Sequence, residues 1–353
     1  MRIRRRLPIV IAVLLVAAAV ALLVVLRKHA PPEPARLLPG ADGFVYINLQ
    51  WMRRANLAGD LPKVARDSDY EKFIQATGFD FERDLEQAAV AIHYAGSINS
   101  PIAESARFSY VFVAKIDGTR LREYLKNNSS STDNYHSVDI YNIPLEGRTG
   151  RVAILGVDTV AASNHPDPQV IRGIVDRSRK LASPFGGPAL LRQYYKHVPF
   201  ASLAWGIFKV LPDNSSPAAS GPLHLAFLFS RPAVVMASLR YLGTLHFRAV
   251  AYTDNDEEAK HVSEQVGTFL NLFHTAEITT ASPGTDADVK ALLDSVQIEQ
   301  QKERAILTAT VPTGFIRKAL VEPPQMTPPQ NPEPAAQPDK QPKKKPAARR
   351  PSR

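Results

Sequence analysis

The sequence predicts an α+β fold, with mixed or antiparallel sheets and packed helices, placed after one N-terminal transmembrane helix. Three observations lead to this prediction. Residues 9–26 form an unbroken apolar run. Behind this run, short apolar segments bounded by Gly, Pro and Asn alternate with amphipathic helical patterns. The segment 323–353 holds ten prolines and hardly any large apolar side chain, which is typical of a disordered tail.

The apolar run is long enough to cross a membrane. Its eighteen residues, from Ile9 to Leu26, would make a helix of about 27 Å, close to the hydrocarbon thickness of a bilayer. A cleavable signal peptide has a shorter apolar core, and cleavage after Ala21 would leave five apolar residues exposed. We therefore favour an uncleaved signal anchor, with cleavage as the alternative.

The basic residues around the run predict its orientation. Four arginines precede it without any acidic residue, whereas Arg27, Lys28 and Arg36 follow it. The positive-inside rule then places the N-terminus in the cytoplasm and the bulk of the chain outside the cell's inner or plasma membrane.

Composition shifts divide the chain into six parts. We expect a cytoplasmic basic stub at 1–8, a transmembrane signal anchor at 9–28, a proline-rich spacer at 29–36, a first α+β module at 37–182, a second at 183–322, and a disordered tail at 323–353. The SPFGGP turn begins the second module, and the two modules could be similar to each other.

Strands and helices alternate in the first module. Predicted strands are Phe44–Leu49, Ala88–Tyr94, Phe108–Lys115, Val138–Ile143, Val152–Leu155 and Thr159–Ala162. Asp117 is the expected N-cap of a helix that presents Leu121 and Leu125 and ends in the NNSSSTDN loop. His165-Pro166 is expected to open a second helix, which presents Ile171 and Ile174 to the core.

The second module begins with two apolar segments, 201–210 and 223–229, and continues with two hairpins. One joins Val234–Tyr241 to Leu245–Tyr252, and the other joins 296–299 to 305–311. Between them, Asp254 and Glu257 frame a capping box for a long helix, and a shorter helix follows around 286–293. A helical turn at 313–320 closes the module.

Two segments give a family resemblance. They are ARLLPGADGFVYINL and YTDNDEEAKHVSEQVGTFLNLF with its closing hairpin, and they resemble exported bacterial proteins of the DUF3352-like type over residues 37–320. The resemblance implies an N-terminal anchor in front of an α+β ectodomain. It implies no catalytic residues.

Charge and composition exclude several functions. The net charge of +9 comes from the two ends, because residues 31–322 carry 30 basic and 32 acidic side chains. A nucleic-acid groove on the folded part is therefore not expected. Since the chain has no cysteine, disulfides, thiolate metal sites and cysteine nucleophiles are excluded.

The sequence offers no recognisable catalytic or cofactor motif. Phosphate-binding glycine loops, the HExxH zinc motif, the GxSxG elbow and EF-hand loops are all missing from it. His93, His136 and His165 could in principle share a metal ion, but no histidine pair has the spacing that places two rings on one face. We therefore predict no catalytic, cofactor-binding or metal-binding residues.

Three further features have structural explanations. The motif from Asn164 to Asp167 (NHPD) looks catalytic, although helix capping explains it. Acidic residues at 254 and 256–258 could bind a cation, but they also complement the helix dipole. The apolar residues of 227–229 and 234–236 could line a lipid groove, although strands buried on both faces give the same pattern.

The tail holds the residues that we predict to bind polyanions. Anionic lipid, an envelope polymer or an acidic protein would be the partner, and a purely solubilising tail is the alternative. The seven basic residues are Lys340, Lys343, Lys344, Lys345, Arg349, Arg350 and Arg353.

Together these features predict a single-pass, membrane-anchored binding or scaffold protein of the bacterial cell envelope. An envelope hydrolase with dispersed catalytic residues is one alternative, which a pocket joining His93 or His165 to a carboxylate and a hydroxyl would favour. A carrier of an apolar ligand is another, which an internal apolar cavity would favour.

Overall fold

The structure is a computed structural model that describes residues 30–55, 67–93, 107–145, 147–179, 187–212, 228–279, 287–312 and 314; for 273–279 it describes the backbone only. The α+β prediction is confirmed, because these residues form one large antiparallel sheet with helices packed on it. The predicted membrane helix at 9–26 lies outside these ranges. Within them, no helix is both long enough and apolar enough to cross a bilayer.

Twelve strands form the sheet. They are β1 (Gly43–Asn48), β2 (Leu85–His93), β3 (Arg107–Ala114), β4 (Ser131–Tyr135), β5 (Val138–Leu145), β6 (Arg148–Ile154), β7 (Thr159–Ser163), β8 (Ser202–Val210), β9 (Ala233–Tyr241), β10 (Leu245–Tyr252), β11 (Gln297–Gln301) and β12 (Arg304–Val311). Their order across the sheet is β11-β12-β10-β9-β8-β1-β2-β3-β7-β6-β5-β4.

Nine α-helices complete the described part of the chain. They are α1 (Glu33–Leu37), α2 (Leu49–Arg54), α3 (Ser68–Thr77), α4 (Phe81–Asp84), α5 (Gly118–Asn128), α6 (Gln169–Arg179), α7 (Ala189–Tyr194), α8 (Asp256–Thr279) and α9 (Ala287–Asp294). A single 3₁₀ turn, Tyr195–His197, follows α7.

The same succession of elements occurs on both sides of the sheet's centre. On one side, β1, β2 and β3 are neighbours, α5 follows, and the chain returns through β4–β7 so that β7 pairs with β3. On the other side, β8, β9 and β10 are neighbours, α8 and α9 follow, and β12 returns to pair with β10. The antiparallel pairing of β1 with β8 joins the two sides.

Aromatic packing supports this central pairing. Tyr46 of β1 lies opposite Trp205 of β8, and their rings stack with centroids 5.6 Å apart. The ring of Tyr195 also contacts Trp205, edge-on, with ring centroids 5.2 Å apart. Burial raises the pKa of both Tyr46 and Tyr195 to about 12.

Helices cover both faces of the sheet. The first face carries the largest core cluster, in which Phe44 and Ile207 meet residues of α1, α6 and α7. The second face carries smaller clusters under α2, α3, α5 and α8. Val235 and Met236 of β9 are 6% and 0% exposed and belong to opposite faces, so this strand is buried on both sides, as its apolar run indicated.

Several predicted elements are confirmed. The carboxylate of Asp117 accepts the backbone N–H groups of Thr119 and Arg120, so that it caps α5 as predicted. The hairpin across Leu242-Gly243-Thr244 forms as β9 and β10. The hairpin closing on 305–311 forms as β11 and β12.

Other boundaries were predicted wrongly. The segment Ser131–Tyr135, taken as part of a loop, is the edge strand β4; its exposed polar residues gave no apolar alternation. Helix α6 begins at Gln169 rather than at Pro166, because Asp167 rather than Asn164 accepts the first helical N–H. Residues 183–186 of the SPFGGP turn, residues 223–227, most of 313–320 and the tail lie outside the described residues.

The turn between β4 and β5 yields a stability prediction. Ser137 has a φ of 60° in this two-residue turn, where glycine is favoured. Ser137→Gly should therefore raise the free energy of unfolding by about 0.5–1 kcal/mol. Gly78→Ala, at the left-handed end of α3 with a φ of 72°, should lower it by about 1 kcal/mol. Urea denaturation of the full chain in detergent measures the free energy of unfolding of both variants. A lower value for Ser137→Gly would contradict the left-handed conformation of Ser137 in this turn.

Candidate functional site

Two histidines and two serines meet at one end of the first face, where β2 and β7 end and β3 begins. Ser109 of β3 lies directly opposite Ser163 of β7, and their hydroxyl oxygens are 3.0 Å apart. His93, the last residue of β2, places Nε2 3.2 Å from the Ser109 hydroxyl. The ring of His165 lies edge-on to that of His93, with centroids 5.1 Å apart. The sheet thus brings together side chains that are distant in sequence.

Backbone hydrogen bonds fix the segment that carries His165. Asn164 accepts the N–H of Phe108 at 2.7 Å, so its amide is used to hold β3. The Nδ1 atom of His165 accepts the N–H of Asp167 at 3.2 Å, and Asp167 in turn accepts the N–H of Gln169. Arg151 donates to the His165 carbonyl at 2.7 Å. The NHPD motif therefore ends a strand and precedes a helix, but the predicted roles were wrong, because Asp167 and not Asn164 caps the helix and Pro166 lies before its first residue.

Two charged residues, Asp42 and Lys209, lie beside this cluster. Continuing the strand register by one residue places Asp42 between Lys209 and His93. The Lys209 ammonium lies 3.2 Å from the Asp42 carboxylate. The pKa of His93 falls to about 4, mainly because the ring is desolvated and secondarily because His165 is close, while Asp42 acts in the opposite direction. At neutral pH His93 is uncharged.

A carboxylate, an imidazole and a hydroxyl are the parts of a nucleophilic triad, but their accessibility does not fit catalysis. Ser109 is 0% exposed and Ser163 is 4% exposed, so a substrate carbonyl has no access to either hydroxyl. Ser109 also contacts both Ser163 and His93. The arrangement is suited to holding the ends of three strands together.

The third histidine is elsewhere. His136 stacks on Tyr135 at 4.3 Å, and its Nδ1 lies 3.3 Å from the carboxylate of Asp176. Across the described ranges, no three His, Asp or Glu side chains are placed to share a metal ion. The structure brings together two of the three candidate histidines and separates the other.

The acidic residues before α8 form a cap and a buried hydrogen bond. The predicted capping box was wrong, because Asn255 rather than Asp254 caps the helix, accepting the N–H of Glu258 at 2.8 Å. Glu258 is 6% exposed and accepts the N–H and the hydroxyl of Ser230. Burial acts to raise the pKa of Glu258, but the hydrogen bonds from Ser230 and the Arg231 backbone, together with His261, lower it overall.

The predicted polyanion-binding residues lie outside the described part of the chain. All seven basic side chains of the tail belong to 340–353. Sequence reasoning missed the serine pair, because Ser109 and Ser163 carry no motif. Their only signal is a small polar residue inside each of two apolar strands.

Comparisons with known proteins identify no family. No family model matches the chain, and no curated protein matches it. Among solved structures, crystal forms III and I of TP0453 from Treponema each superpose with a TM-score of 0.43 at 10% identity. They cover 82% and 83% of this chain and 98% of TP0453. A likeness of this degree carries no argument about function.

The buried His93 yields a prediction about acid stability. As the pH falls below about 6.5, the imidazole takes up a proton in the unfolded chain, whereas in the folded chain it stays neutral down to about pH 4. Folding stability should therefore be full above pH 6.5 and fall between 6.5 and 4. Because the ring is only partly buried, solvent screening reduces this contribution to about 1–2 kcal/mol.

His93→Gln should reduce the decrease in folding stability between pH 6.5 and pH 4. Urea midpoints at pH 4.5, 5.5, 6.5 and 7.5 measure it. The matched control is His136→Gln, since His136 lies on the exposed turn after β4. An unchanged slope in His93→Gln would show that another group causes the acid sensitivity.

Proposed function

We propose that this chain is a single-pass, membrane-anchored protein of the bacterial cell envelope, whose α+β domain binds or organises a partner outside the cytoplasm. The observation that carries the proposal is the apolar run from Ile9 to Leu26, flanked by arginines on its N-terminal side. A run of this length fixes the compartment of everything that follows it. The inner or plasma membrane is the proposed location, with the N-terminus in the cytoplasm.

Binding is favoured over hydrolysis by the His93 and Ser109 cluster. A hydrolase needs a nucleophile that a substrate can reach, and the hydroxyls of Ser109 and Ser163 are buried. The hydroxyls of the cluster are also hydrogen-bonded within the protein: Ser109 contacts His93 and Ser163, and Ser163 accepts the N–H of His165. This arrangement supports a stabilising role for the cluster and leaves binding as the better proposal.

The anchor can be tested by membrane extraction. The full chain should remain in the membrane fraction after an alkaline carbonate wash. Leu15→Arg should release part of it, because an arginine near the middle of a membrane helix costs about 2.5–3.5 kcal/mol on insertion scales. Pro31→Arg, in the spacer, is the matched control and should change nothing. Release of the unaltered chain, or a mature N-terminus after Ala21, would contradict the uncleaved anchor.

The basic tail is the proposed second contact with the envelope. Its seven positive charges suit anionic lipid, an envelope polymer or an acidic protein, and each Lys or Arg near an anionic surface gains up to about 1 kcal/mol. Nucleic acid is not a proposed partner, because the folded part carries no excess positive charge.

Removal of residues 323–353 should weaken binding to anionic polymers without changing the midpoint of thermal unfolding. The expected loss disappears at high salt, because exposed charges are then screened. Co-sedimentation of the two chains, held in detergent, with insoluble envelope polymer at low and high ionic strength measures it. Equal binding by both chains would leave the tail a solubilising role only.

A further inference from the structure

The charges of the folded part are unevenly divided between the two faces of the sheet. Helices α1, α6 and α7, on the first face, contain five basic and two acidic side chains. The other six described helices contain nine basic and twelve acidic ones. Strands β8, β9, β10 and β12 contain no Asp or Glu. The near-neutral total of residues 31–322 therefore combines a basic first face with acidic helices elsewhere.

Six cations of the first face form no ion pair within the described part of the chain. The strand register determines the face of those on β9 and β10, because Arg240 and Arg248 share the side of the sheet that Ser238 and the buried Trp205 occupy. All six side chains are exposed or half-exposed. They are Arg172 on α6, Arg192 on α7, Lys196 in the 3₁₀ turn, Arg240 on β9, Arg248 on β10 and Arg304 on β12.

The acidic side chains of the first face already have other partners or positions. Asp42 forms an ion pair with Lys209. Asp176 accepts the hydroxyl of Tyr135 at 3.1 Å, and its other oxygen lies 3.3 Å from His136. The remaining ones accept a hydrogen bond or lie in the first turn of a helix: Asp133, Asp167, Glu299 and Glu33. The six cations therefore have no carboxylate of their own.

Three of the six cations lie around one aromatic side chain, Tyr252. The Arg304 guanidinium is 5.2 Å from the centroid of this ring, and the ring of His197 is 5.3 Å from it. Burial raises the pKa of Tyr252, whereas Arg304 and Arg248 act to lower it. Desolvation lowers the pKa of His197, and Arg304 and Lys196 lower it further. Cations from three different elements are thus close enough to act on the same anionic surface.

We propose that the first face docks on the surface of an anionic bilayer. Each Lys or Arg near anionic head groups gains from their surface potential, and separate contacts add. The six cations are distributed over α6, the α7 region and three strands, so a small anion would meet only a few of them. A broad anionic surface can meet all of them at once.

The choice of a bilayer rests on the proposed function. Helix α1 packs on the first face through Ala35 and Leu37, so a chain leaving the proposed membrane helix enters the domain on this face. Even a fully extended segment from Leu26 to Glu33 spans at most about 25 Å. The tether therefore keeps the first face close to lipid and raises its effective concentration there.

The absence of cysteine allows the two faces to be compared with single labels. Gln193→Cys, exposed on α7, marks the first face, and Asn127→Cys, exposed on α5, marks the second. Each full-length variant carries a fluorophore on its thiol and is reconstituted in nanodiscs of phosphatidylglycerol and phosphatidylcholine. A nitroxide on part of the head groups is the short-range quencher. Quenching at 193 should exceed quenching at 127 at least about threefold, and the difference should disappear at high salt or without phosphatidylglycerol.

Charge reversals identify the surface that makes the contact. Lys196→Glu combined with Arg240→Glu should weaken docking at least about tenfold, seen as lost quenching at 193. The matched control is Arg122→Glu combined with Lys126→Glu, since both side chains are exposed on α5 and the net charge changes equally. This control should leave the quenching at 193 unchanged. Circular dichroism shows that each variant folds.

The outcomes separate this inference from the anchor, which flotation of vesicles after an alkaline wash reports. Flotation with equal quenching at 193 and 127 would overturn the docking and keep the anchor. A chain that the wash removes, but whose label at 193 is quenched at neutral pH and released by Lys196→Glu with Arg240→Glu, would keep the docking and overturn the anchor. Equal weakening by both double variants would also overturn the docking, because net charge or the tail would then make the contact.

Discussion

The pairing of β1 with β8 is the interaction on which the rest of the structure depends. Each side of the sheet has its own succession of strands and helices, and only this antiparallel pair joins them within the described sheet. Its backbone hydrogen bonds are protected by the packing of Tyr46, Trp205 and Tyr195. β1 also pairs with β2, and β8 with β9. Separation of β1 from β8 would therefore leave each half of the sheet with an unpaired edge strand.

The same pairing positions the polar cluster and the start of α2. At one end of β1, the register brings Asp42 next to His93 and Lys209. At the other end, β1 leads directly into α2, whose Met52 packs against Leu203 and Leu245. The polar cluster joins the ends of β2, β3 and β7.

Sequence periodicity was sufficient for the fold class and for most strands, because residues such as Phe44, Tyr46 and Val111 alternate with less buried neighbours. It missed β4, whose residues from Ser131 to Tyr135 are polar on both sides, since an edge strand needs no apolar face. It also missed the serine pair. That pair depends on the register of two strands, which places Ser109 opposite Ser163.

In the proposed function, the chain is held at the membrane and contributes a binding surface, while the buried hydroxyls of Ser109 and Ser163 have a structural role. The same proposal assigns the contact with anionic partners to the basic tail.

The central claim is that the folded domain lies outside the cytoplasm, and the absence of cysteine makes it directly testable. Val157 is 91% exposed in the turn between β6 and β7, so Val157→Cys offers a single reactive thiol. A membrane-impermeant maleimide added to intact spheroplasts should label this variant, whereas Ile3→Cys should be labelled only after lysis. Labelling of Val157→Cys only after lysis would contradict the account.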